Sequence, residues 1–475
     1  MSMFAQAGIL CLLLNAPDTF VLGAGAPIAD VAVEDVDGDG CVDIAVLCVE
    51  EAGAPSRYLA VFCATAPGMY LEHPATILPL GEATGGLFFT ETDGKPPREL
   101  AAVDMTGARV YSWTRGTFVQ SAEYLFASLF PTGVRLPRFL DSAAWDLDGD
   151  GIDEWLIPEP HGYRIRKSGV ECAWVPCATT GAIASRPDGS EWVSYRRSPC
   201  RPVSLPEQTG FGIASLDEEH VQFAIGPRWE RITRTPIPFQ FRSEAAASRQ
   251  RQSGAVWAFP RPPTPEPIVQ LYDMNRDGLP DLIVTETRGV LSAKSTTRLY
   301  YANSDCTFSA SPNAVFDNSG FVQPILVDVN RDESPDLLFL QMMFGLRFIV
   351  NYLTGEKVTL RAEAHLNRGG VFSAKPDLSS AFVFRVPSHN QEGVFALGDF
   401  NGDSRLDVVF GDGGSRLVVH TGEDSRFIAS TPWITLNIES EGLARTCDLD
   451  NNDSDDLIVF QPAYMNKGAC TVLVF

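Results

Sequence analysis

Basic residues are in short supply. The 475-residue chain sets 37 Lys and Arg against 60 Asp and Glu, for a formal net charge of −23. A chain this acidic is a poor general ligand for nucleic acid or an anionic membrane, because phosphate recognition needs cationic side chains. Long apolar runs are missing as well. The run at residues 7–14 is too short to span a bilayer. No Lys or Arg precedes it, so it lacks the positive region of a secretory signal and reads instead as a strand of the fold. Catalytic signatures are absent: there is no HExxH, GxSxG or P-loop, and no GxGxxG between a strand and a helix. His73, His161, His220, His365, His389 and His420 are scattered and form no ligand-spaced pair. None of the 10 cysteines forms a CxxC, which argues against a zinc ribbon or a thioredoxin-like site. Cys48 with Cys63, and Cys172 with Cys177, are near enough in sequence for local bridges; buried free thiols are the equal alternative. Helical periodicity is scarce throughout.

What the chain does have is a repeat. Six segments align without gaps: DVDGDGCVDIAV from Asp35, DLDGDGIDEWLI from Asp146, DMNRDGLPDLIV from Asp273, DVNRDESPDLLF from Asp328, DFNGDSRLDVVF from Asp399 and DLDNNDSDDLIV from Asp448. ETDGKPPRELAA from Glu91 fits the same frame in degenerate form. Successive starts are separated by 56, 55, 127, 55, 71 and 49 residues, so most gaps equal one supersecondary unit. The gap of 127 either hides an eroded unit or holds one unit with a long insertion. Each loop leads into a short apolar run such as Leu282-Ile283-Val284 or Val408-Val409-Phe410, the signature of a strand buried on both faces. Many short strands in a unit with room for about four of them select an all-β propeller, seven-bladed by the countable frames, with eight blades possible. A hydrophobic content of 45% supports one globular domain over residues 1–475. Residues 160–265 form a divergent, insertion-rich section that carries 14 Lys and Arg against 9 Asp and Glu.

Numbered from its first acidic residue, each loop has side-chain oxygens at positions 1, 3, 5 and 9. These are Asp35, Asp37, Asp39 and Asp43; Asp146, Asp148, Asp150 and Glu154; Asp273, Asn275, Asp277 and Asp281; Asp328, Asn330, Asp332 and Asp336; Asp399, Asn401, Asp403 and Asp407; and Asp448, Asp450, Asn452 and Asp456. Ca²⁺ takes six to eight oxygens, and alternate residues of a curled loop can all turn inward toward it. The position 7 carbonyls of Cys41, Ile152, Leu279, Ser334, Arg405 and Ser454 would add one ligand each. Without a cation, such crowded carboxylates would repel one another. Up to six ions are therefore expected, and their charge would bring −23 to −11. An EF-hand would need Glu at position 12, where Val46, Ile157, Val284, Phe339, Phe410 and Val459 are all apolar. A single DxDxDG can be a solvated turn, but six in register, each leading into an apolar strand, exclude coincidence. In the Glu91 frame Lys95 stands at position 5, so no metal is expected there; the ammonium would pair with Asp93 and Glu99.

DFNGDSRLDVVF and DVDGDGCVDIAV resemble the FG-GAP/VCBS-type repeats of integrin α-subunit propellers and of many secreted bacterial proteins. The resemblance covers most of residues 10–475 and is weakest across 160–265. It implies that calcium sits between two strands of one blade and stiffens it. Ile9–Phe20 and Thr471–Phe475 both read as strands, which could close the ring by sharing one blade. The Phe-Gly and Gly-Ala-Pro signatures of the integrin version are not clear here, so integrin-like adhesion is not implied. The expected role is a calcium-stabilised, non-catalytic interaction module for a protein or glycan, monomeric and secreted, periplasmic or on the cell surface. The alternative is a carbohydrate-active enzyme, a polysaccharide lyase or hydrolase, because propellers host both. The candidate ligand surface places Arg164, Arg166, Arg196, Arg197, Arg228, Arg231 and Arg234 among Trp174, Trp192 and Trp229. Against it stands the reading that these tryptophans are core and the arginines pair with acidic neighbours.

Overall fold

The structure is a computed structural model and describes residues 17–50, 56–130, 132, 136–140, 143–159, 162–176, 180–185, 191–196, 200–205, 210–216, 220–226, 231–238, 267–289, 293–342, 357–385, 394–412, 415–438, 442–461 and 469–475. Strands account for all the regular structure among them. Seven blades follow one another at 28–80, 86–125, 144–176, 200–236, 268–319, 324–385 and 395–437. The eighth joins Leu443–Cys447, Asp456–Phe460 and Ala469–Val474 to the N-terminal strand Asp18–Gly23. Asp18 pairs with Val474 and Gly23 with Ala469, so both chain ends share one blade. Residues 9–16 of the expected N-terminal strand lie outside the described residues.

The apolar runs become the second strands, and Asp43–Val49 is buried along its whole length. Side chains alternate across a strand, so neighbours in such a run enter opposite blade junctions. Leu282 packs with Phe223 of the preceding blade, whereas Ile283 packs with Phe339 of the following one. Leu338 then meets Val408, Val409 meets Leu457, and Ile458 meets Ile44 of the first blade. Leu59 meets Leu87, Val103 meets Trp155, and Ile165 meets Ile213. One apolar cluster fills each junction and the series closes on itself. The molecule is an eight-bladed β-propeller, and each fully buried leucine contributes about 1.5–3 kcal/mol to holding the ring.

The fourth blade, the one without an acidic frame, lies in the 127-residue gap. Its strands Cys200–Leu205, Gly210–Leu216, His220–Ile225 and Arg231–Pro236 form a complete blade. Residues 206–209 connect the first two of these, too few for a nine-position acidic frame. An additional hairpin, Thr180–Ser185 with Glu191–Arg196, precedes this blade in the same gap. The cysteines at 41, 48, 63, 172, 306, 447 and 470 are unbridged. The candidate bridges of Cys48 with Cys63 and of Cys172 are therefore not formed, and Cys48 is instead part of the apolar core.

Candidate metal centre

Every intact acidic frame is the turn between the first and second strands of a blade. Position 9 is the first residue of the second strand: Asp43, Glu154, Asp281, Asp336, Asp407 and Asp456. Positions 4 and 6 have positive φ in all six loops. Gly38 and Gly40 meet this at no steric cost, but Arg331, Glu333, Asn451 and Asp453 also adopt it, at φ from 53 to 67. Local hydrogen bonds hold them there. The position 6 N–H donates to Oδ2 of position 1 over 2.6–3.0 Å in every loop. The position 7 N–H donates to the side-chain oxygen of position 5 over the same range, 2.6–3.0 Å.

Position 9 does different work. Asp281 Oδ2 accepts from Met274 N–H at position 2, and Oδ1 accepts from Ala302 N–H just past the third strand. Asp43, Asp336, Asp407 and Asp456 repeat the arrangement, with Ala64, Asn367, Gly422 and Phe475 as the distal donors. Each carboxylate pins its loop to the far end of the third strand. All five are fully buried. Burial pushes Asp43 and Asp336 up to about 6, Asp407 and Asp456 to about 7, and Asp281 to about 8, against the pull of these N–H donors.

The remaining oxygens converge as a divalent cation requires. In three of the loops acidic oxygens lie within 4.8 Å of one another: one each from Asp448, Asp450 and Asp456, from Asp35, Asp37 and Asp39, and from Asp146, Asp148 and Glu154, where a lysine ammonium stands among them. Asp37 and Asp43 also group with Cys63 in this way. Asp450 Oδ1 is a buried carboxylate oxygen with no hydrogen-bond partner, an arrangement that costs free energy unless a cation faces it. The residues present thus fit Ca²⁺: side-chain oxygens of a curled loop, a backbone carbonyl at position 7, and a carboxylate anchored at position 9. In the Asp273, Asp328 and Asp399 loops the position 3 amides of Asn275, Asn330 and Asn401 donate to the position 5 carboxylates over 3.0, 3.0 and 3.2 Å.

Two frames depart from this. In the Glu91 frame, Glu91 Oε1 caps the N–H groups of Asp93, Gly94 and Lys95, and Glu99 accepts from Thr92 N–H. Lys95 lies 3.9 Å from Asp93 with 78% of its side chain exposed, a loose surface pair. A half-buried ammonium is found one blade on. Lys167 Nζ lies 2.8 Å from Asp148, 2.8 Å from Asp150 and 2.7 Å from Glu154. Burial alone would lower Lys167, but its bonds to these carboxylates outweigh it and hold the ammonium above the ordinary lysine range.

The loops are also fastened to one another. Asp153 and Glu91 exchange two hydrogen bonds of 2.8 Å between adjacent blades, and Asp455 and Asp399 exchange two of 2.6 Å. Arg98 bridges Glu34 and Asp153, Arg276 reaches Glu333, and Arg331 reaches both Asp399 and Asp455. These contacts link the acidic turns in two runs, one over the Asp35, Glu91 and Asp146 frames and one over the Asp273, Asp328, Asp399 and Asp448 frames.

Of the candidate ligand surface, Arg164 is engaged by Glu159 and Glu171. Arg166 lies over the Phe126 ring, and Trp174 is exposed. The side chains of Arg196, Arg197, Arg228, Arg231, Trp192 and Trp229 lie outside the described residues.

Residues 273–339, spanning the Asp273 blade and the Asp328 frame, match the FG-GAP-like repeat family. With the ring of blades, this makes the chain an FG-GAP-type repeat β-propeller, an architecture that serves as a general interaction scaffold. Solved structures with a similar course include the Dos1 propeller, at 9% identity over 97% of this chain and 94% of that one, TM-score 0.42. BBS1N in complex with ARL6DN matches at 10% identity over 97% and 96%, TM-score 0.39. The biofilm matrix protein Bap1 of V. cholerae matches at 12% identity over 95% and 88%, TM-score 0.34. No curated protein sequence matches the chain. Among the described residues no helix is long and apolar enough to cross a membrane.

Proposed function

We propose that this propeller is a calcium-binding, extracellular interaction module whose acidic turns hold Ca²⁺ as structural ions, in up to six loops, and whose partner is a protein or a glycan. The observation that carries the reading is the buried, partnerless Oδ1 of Asp450 among the converging oxygens of Asp448 and Asp456. Millimolar extracellular calcium suits loops of modest affinity. With seven described cysteines unbridged, ions rather than disulfides would staple the blades. Those thiols also pull against an oxidising compartment, so surface labelling of intact cells is the direct measure of location. The role is binding rather than catalysis, since the five position 9 aspartates that might act as acid or base are each committed to two backbone N–H groups, and Glu154 to one such group and to Lys167. The test is a calcium titration followed by thermal unfolding. A melting temperature that rises with millimolar Ca²⁺ and falls in chelator supports the reading; one that moves with neither ends it. A glycan array probed in calcium and in chelator then separates glycan from protein partners.

A further inference from the structure

We infer that the Asp146 loop is not a metal site, and that the ammonium of Lys167 is its permanent, built-in cation. The inference rests on the calcium reading of the other five intact loops and narrows it from six ions to five.

The first argument is spatial. Calcium at this loop would lie about 2.3–2.6 Å from its oxygens. Lys167 Nζ is already within 2.8 Å of carboxylate oxygens at positions 3, 5 and 9. Two cations cannot share that volume.

The second argument comes from register. Lys167 pairs directly with Glu154, the position 9 residue, across the second and third strands. One step beyond the pairs Ile44↔Phe62, Leu282↔Tyr300, Leu337↔His365, Val408↔His420 and Leu457↔Leu473, the corresponding residues of the other blades are Cys63, Tyr301, Leu366, Thr421 and Val474. None of these is cationic.

The third argument is the position 9 residue itself. The five other loops have Asp, whose second oxygen accepts a backbone N–H from the end of the third strand. Here the residue is Glu154, and its Oε1 is met by Lys167 Nζ. The longer acid and the lysine are a matched substitution for Asp and ion. The Lys167 side chain is only 20% exposed, so the network is partly desolvated and its charges are poorly screened.

Two measurements test this on the full-length protein. The first is amine acylation of the wild type, mapped by mass spectrometry with and without calcium. Lys167 is expected to react slower than the exposed Lys95 by about tenfold or more in both conditions. Reaction of Lys167 at the Lys95 rate in millimolar calcium would overturn the inference, because an ion would then have displaced it. The second is the bound-calcium count after equilibrium dialysis. Lys167→Met is expected to bind one more ion per chain than the wild type, while a wild type that binds six and a variant that binds no more overturns the inference. A wild type that binds no calcium while Lys167 stays protected ends the calcium reading of the other loops and leaves Lys167 as the resident cation here.

Discussion

The four consecutive blades from residue 268 to the C-terminal strand and the two blades between residues 144 and 236 solve one packing problem in different ways. In the first group each first-to-second turn is an acidic nine-residue frame with a buried aspartate tied to the third strand. In the second group one blade fills its frame with Lys167, and the next has only residues 206–209 in that turn. Both groups contribute equally complete sheets and equally apolar junctions. The ring therefore depends on alternating apolar side chains, and the acidic turn is a removable staple laid over them.

Chelation should break this comparison most visibly. If each occupied loop contributes about 2.7 kcal/mol at a free calcium 100 times its Kd, several loops together dominate stability. Hydrogen exchange in chelator should rise in Asp281–Arg288, Asp336–Met342, Asp407–Gly411 and Asp456–Phe460. It should change little in Glu154–Glu159 and Gly210–Leu216. Uniform acceleration in both groups would erase the distinction.

Asp281→Ala comes next. It leaves the buried N–H groups of Met274 and Ala302 without acceptors. A loss of about 3 kcal/mol is expected from urea unfolding in chelator.

The pH response sharpens the same contrast. Burial raises the folded-state values of Asp43, Asp336, Asp407, Asp456 and Asp281 to between about 6 and about 8. A raised folded value stabilises fully below the unfolded value near 4 and loses that contribution as pH climbs through the folded one. The chelated protein should therefore lose stability between about pH 4 and pH 8, and calcium, which binds the ionised form, should flatten that slope. Melting temperatures across this range in chelator and in calcium measure both effects.

Arg331→Ala should cost about 0.5–1 kcal/mol, because its pairs with Asp399 and Asp455 link three blades but are partly solvated. Lys95→Ala should fall within about 0.5 kcal/mol of wild type, the expected effect of cutting an exposed pair. Both are read from the urea midpoint.

Much of this was legible in the sequence. Carboxylates at every second position followed by a β-branched run located seven of the first-to-second turns and their second strands, because both signals are local. The fourth blade left no such mark: its strands are apolar, but its turn is too short for the frame. Lys167 was equally hidden. It lies 13 residues after Glu154, and only the strand register brings the two face to face. Lys95, inside the motif, drew attention for its position and turned out to be largely solvent-exposed. The left-handed backbone at Arg331, Glu333, Asn451 and Asp453 also escaped notice, since glycine marks those places in other copies.

The pairing of Asp18–Gly23 with Ala469–Val474 sets an order of events in biosynthesis. The first strand emerges from the ribosome with its hydrogen-bonding edge open and must wait for the last one. At about 5–20 residues per second that interval is roughly 20–90 s. During it the nascent chain offers an unpaired β-edge to any neighbouring polypeptide, so the final six-residue strand is both the clasp of the ring and the end of its exposure to aggregation.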